Sequence, residues 1–115
     1  MSQLNSRDID LPQGGVVRLS GRRLQVFVAL EACLRRNADA TMHEVLAVLS
    51  VQIGRPAYPH AYSGRFTDLR GLGVIEAVPE PRDDVQSVAN RAALGRAARV
   101  TAYRFPAMQK RLVCA

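Results

Sequence analysis

The sequence predicts an α+β domain in which three short helices precede a small antiparallel β-ribbon. Three observations predict it: apolar residues recur at helical spacing in three successive stretches, a capping box opens the second stretch, and β-friendly segments follow. A chain of 115 residues suits one domain, because two domains at this size would each have a marginal core.

Residues 1–19 show little periodicity and contain a Pro12-Gln13-Gly14-Gly15 break. They read as a mobile N-terminal arm with a short extended piece over 16–19. Ser20 then precedes a first helix over 21–36. Leu24, Phe27, Leu30 and Leu34 form its apolar stripe, and Arg35 and Arg36 in the last turn complement the helix dipole. Asn37 can close it. Thr41-Met42-His43-Glu44 is the capping box, opening a second helix over about 42–53 with Met42, Val45, Leu46, Leu49 and Ile53 inward. Gly54-Arg55-Pro56 ends it. Pro59 suits the first turn of a third helix, where Tyr62, Phe66, Leu69 and Leu72 share a face and Gly71 and Gly73 supply the stop. Residues 74–78 read as a strand halted by Pro79 and Pro81. Residues 82–98 are polar and rich in Ala and Arg, either a long loop or a short helix near 84–94. Residues 99–105 are β-friendly, and 106–115 read as a C-terminal tail.

Composition narrows the function. Apolar residues make up 48% and charged residues 23%, too apolar for a disordered chain. No apolar run is long enough to span a membrane, and the N-terminus has no hydrophobic signal core, so a cytoplasmic protein is expected. Cys33 and Cys114 make a poor disulfide framework, which agrees with a reducing compartment. Aromatics are 5% with no Trp, which argues against base stacking on an aromatic sheet.

The net charge of +6 points to a polyanionic partner, most often nucleic acid. The excess sits in the last third, at Arg82, Arg91, Arg96, Arg99, Arg104, Lys110 and Arg111. Cys33, His43, His60 and Cys114 have no metal-ligand spacing, and position 47 is Ala where a zinc-protease motif needs His. Gly71-Leu72-Gly73 lacks the Lys-Ser/Thr of a phosphate loop. No catalytic constellation is found, so no enzyme activity, cofactor or metal is expected.

Three segments carry a family resemblance. One is the Thr41-x-x-Glu44-Val45-Leu46 opening. A second is Phe66-x-x-Leu69-x-x-Leu72-Gly73-Val74-Ile75-Glu76, a passage from helix into strand. The third is Arg99-Val100-Thr101-Ala102-Tyr103-Arg104-Phe105, a returning strand. Over residues 20–105 this order resembles the winged helix-turn-helix DNA-binding family, of the small bacterial and phage type. The resemblance implies a three-helix core with a two- to three-stranded antiparallel β-wing.

It also implies double-stranded DNA binding, with the third helix in the major groove and the basic wing on the backbone. His60, Ser63, Gly64, Thr67 and Arg70 then face DNA, and Arg65 curls toward a phosphate from the apolar side. Arg91, Arg96 and Arg99 supply wing contacts. The expected role is transcription regulation or a phage accessory function, with a homodimer on a two-fold site. The alternative is a protein-interaction winged helix, a phage-encoded inhibitor or adaptor docking on a host protein. It is suggested by the near-neutral charge of the third helix, where Asp68 sits on the flank.

Overall fold

A computed structural model describes residues 6–79 and 100–106 of the chain. The fold is α+β, with three helices and two small antiparallel sheets.

The chain enters as a hairpin rather than as an arm. Strand β1 (Ser6–Asp10) pairs antiparallel with β2 (Val16–Ser20), in register from Ser6 opposite Ser20 to Asp10 opposite Val16. The Pro12-Gln13-Gly14-Gly15 segment is its turn. The Leu11 amide donates to the Gly15 carbonyl and the Gly14 amide to the Leu11 carbonyl, both at 3.0 Å. Gly14 and Gly15 take φ of 103° and 93°, a region that side chains with a Cβ avoid. Ile9, Leu11, Val17 and Leu19 turn inward, and Leu19 is fully buried. This sparse alternation hides the strands from periodicity counting. Arg7 ties the hairpin to the first helix by a bidentate pair with Glu31, 3.2 Å for each bond, and its guanidinium lies over the Phe27 ring.

Helix α1 (Gly21–Leu34) buries Val26, Phe27, Ala29, Leu30 and Cys33, a wider stripe than the leucine spacing alone implies. Its helical turns stop at Leu34, so Arg35 and Arg36 fall just past the end. The Asn37 amide and side chain both donate to the Cys33 carbonyl. A two-residue strand, β3 (Ala40–Thr41), follows and leads directly into α2 (Met42–Ile53). The capping box forms: the Glu44 amide donates to Thr41 Oγ1 at 3.3 Å, and the Thr41 amide donates to Glu44 Oε1 at 3.0 Å. Val45, Leu46 and Leu49 enter the core, and Gly54 closes the helix.

Helix α3 (Pro59–Leu72) packs on both earlier helices through Tyr62, Phe66 and Leu69. At its end the Gly73 amide donates to the Arg70 carbonyl and the Val74 amide to the Leu69 carbonyl, with Gly73 left-handed at φ 82°. Val74 and Ile75 are buried, and β4 (Glu76–Ala77) pairs with β5 (Ala102–Arg104). Strand β5 lies between β4 and β3, giving the order β3-β5-β4. Tyr103 at its centre packs against Phe66, and Phe105 just past its end packs against Phe27, each with ring centroids 5.0 Å apart. The ribbon strands are thus shorter than the 74–78 and 99–105 segments expected, and β3 joins them from outside the ribbon. The 82–98 segment, and all of the expected tail beyond Pro106, lie outside the described residues. No helix among the described residues is long and apolar enough to cross a membrane.

Candidate nucleic-acid interface

The faces of α3 differ sharply. Tyr62, Phe66 and Leu69 are buried, whereas His60, Ser63, Gly64, Thr67, Arg70 and Gly71 are exposed. Steps of three and four residues put the exposed set on one side of a 3.6-residue helix. Tyr58 precedes the helix in extended conformation, Pro59 fills the first turn, and no side chain caps the free amides. The Tyr58 and His60 rings stack at 5.6 Å with an 11° interplanar angle, which holds both at the start of the face.

Gly64 is informative because nothing among the described residues demands it. Its φ is not positive, and a Cβ built there meets no atom within 4 Å. Glycine inside a helix costs about 1 kcal/mol relative to alanine. Among the described residues no packing or backbone gain offsets that cost at this position.

Arginines from α1 flank the same helix. Arg22 Nη1 donates to the Ala61 carbonyl at 3.4 Å, and the guanidinium lies 5.5 Å from the centre of the Tyr62 ring. Arg23 Nε donates to Asp68 Oδ2 at 3.2 Å. Tyr62 in turn donates its hydroxyl to Gln25 Oε1 at 2.9 Å. Three contacts across 37 to 45 residues therefore fix α3 against the first turns of α1.

Asp68 also receives Arg65, whose Nε lies 3.0 Å from Oδ2 but off the hydrogen-bond direction. Arg65 is thus half-buried and held to its own helix rather than extended outward. Arg70 makes no ion pair among the described residues and sits in the last turn, where the helix dipole favours a cation. Two arginines, Arg23 and Arg65, thus converge on the Asp68 carboxylate.

Of the nine residues picked from the sequence, His60, Ser63, Gly64, Thr67 and Arg70 share the exposed face and Arg65 lies beside it. Arg91, Arg96 and Arg99 lie outside the described residues. Arg22 and Arg23 are not among those nine, because no sequence pattern sets them apart. Their juxtaposition with α3 is a product of tertiary packing and leaves no local signal. Among the described residues no group of three or more His, Cys, Asp or Glu could hold a metal ion. No family model, curated protein or solved structure matches this chain.

Proposed function

We propose that the chain is a winged helix-turn-helix protein that binds double-stranded DNA, with α3 in the major groove and the 82–104 segment along the backbone. The element order and the β3-β5-β4 sheet are compatible with that fold. The observation that carries the functional reading is the open face of α3. It combines hydroxyls and an arginine with no ion pair among the described residues with a glycine that no contact among those residues explains. Ser63 and Thr67 can reach phosphates or base edges, Arg70 can grip guanine through two hydrogen bonds, and Gly64 lets the duplex approach the backbone. Arg22 lies beside the first turn of α3, where it adds positive charge for a phosphate. Regulation of transcription or a phage accessory role follows from such binding, with pairing of two copies on a symmetric site.

Selection from a random duplex library tests this reading. The wild-type chain should enrich a motif, and Thr67→Ala or Arg70→Ala should change that motif rather than only weaken binding. No enrichment, together with no mobility shift of any duplex in low salt, overturns it. The second reading, an adaptor for a host protein, is favoured by Asp68, which engages both Arg23 and Arg65. Recovery of a protein partner that persists after nuclease treatment would favour it.

A further inference from the structure

The end of α1 away from the Arg22–Ala61 contact borders a cleft of about 580 Å³, lined by Ala32, Cys33, Arg35, Arg36, Asn37, Glu44, Ala47 and Val48. The floor is mostly apolar, made by Ala32 and Cys33 on α1 and by Ala47 and Val48 on α2; the one acid in the lining, Glu44, has its carboxylate engaged by the Thr41 amide at 3.0 Å, so the two rim arginines outweigh it. Val51 continues the α2 stripe one turn further and is 82% exposed, the most exposed large apolar side chain among the described residues. At the rim stand Arg35 and Arg36, both exposed and without an ion pair among the described residues. The rim lies roughly 20 Å along α1 from Arg22 and Arg23, at 1.5 Å per residue.

We propose that this cleft receives an acidic segment of a partner protein, anchored by apolar side chains. The chemistry on each side of the cleft selects that occupant. Two exposed guanidiniums are screened by water and hold an isolated small anion weakly. A peptide that also buries an apolar side chain over Ala47, Val48 and Val51 adds the larger, unscreened contribution. A DNA backbone would satisfy the arginines but would leave the apolar floor without a partner. The cleft runs open onto the surface of α2, which suits a chain laid across it. The site is separate from the exposed face of α3, so it stands or falls independently of the DNA-binding reading.

Fluorescence anisotropy on the full chain tests the proposal, with a labelled ten-residue peptide alternating pairs of Glu with pairs of Leu. The expected result is saturable binding that weakens about tenfold in Arg35→Glu with Arg36→Glu, as repulsion replaces attraction. Ala47→Glu, an exposed position that tolerates the change, should weaken it comparably. A control peptide with Ser in place of Leu should also bind about tenfold less tightly. Arg18→Ala on the N-terminal hairpin, which removes a basic charge away from the cleft, should leave peptide binding unchanged. Circular dichroism confirms that each variant is folded. Failure of the peptide to bind, equal binding by the doubly substituted chain, or equal binding of the Ser peptide overturns the proposal. Displacement of the peptide by a short DNA duplex also overturns it, and assigns the arginines to nucleic acid.

Discussion

On the proposed DNA-binding reading, stability and binding pull in opposite directions at Gly64. Replacing it with Ala adds a better helix former in open space, so Gly64→Ala should raise unfolding stability by about 0.5–1 kcal/mol in urea denaturation. The same methyl group stands between the α3 backbone and an approaching duplex, so duplex affinity should fall in the same variant. A variant that is more stable and binds DNA equally well would remove Gly64 from the interface.

Cys33 offers a separate residue-scale test. Burial, and then the nearby charge of Glu44, push its thiol above the ordinary range. The fold therefore favours the neutral thiol, and this contribution is full below the ordinary thiol pKa and is lost as pH rises through the higher folded value. In a Cys114→Ser background, reaction with a disulfide reagent at pH 8 should be about a hundredfold slower than for a free thiol and should recover in denaturant. Equal rates in native and denaturing buffer would contradict the burial of Cys33.

The elements differ in how much they depend on neighbours in sequence. The capping box is wholly local, four residues that satisfy two amides at the start of α2. Thr41→Ala should cost about 1 kcal/mol, read by urea denaturation, and Thr41→Ser should restore most of it. Such local devices were legible: the box, the three apolar stripes and the glycine stop at Gly73 all follow from spacing along one segment. The strands were less so. β3 is two residues long and exists because Ala40 lies opposite Tyr103, more than sixty positions away. The N-terminal hairpin has few inward apolar residues, and its turn reads equally well as a break. The same distinction holds at the interface. The exposed face of α3 is the complement of its buried stripe and could be read directly. The placement of Arg22 and Arg23 beside it depends on how α1 crosses α3.

At the scale of the whole molecule, charge and shape act together in the proposed DNA binding. The chain carries 16 basic against 10 acidic residues, and several arginines are already engaged internally with Glu31, Asp8, Asp68 and Glu76. Net positive charge attracts any polyanion, whereas an ordered set of phosphate contacts releases a definite number of counterions. The most direct test is the salt dependence of binding to a duplex that carries the selected motif. About six phosphate contacts predict a log-log slope of roughly −5, and Arg70→Ala, which removes a base contact rather than a phosphate contact, should leave that slope nearly unchanged. A slope near zero, or no binding to any duplex at low salt, would contradict the account.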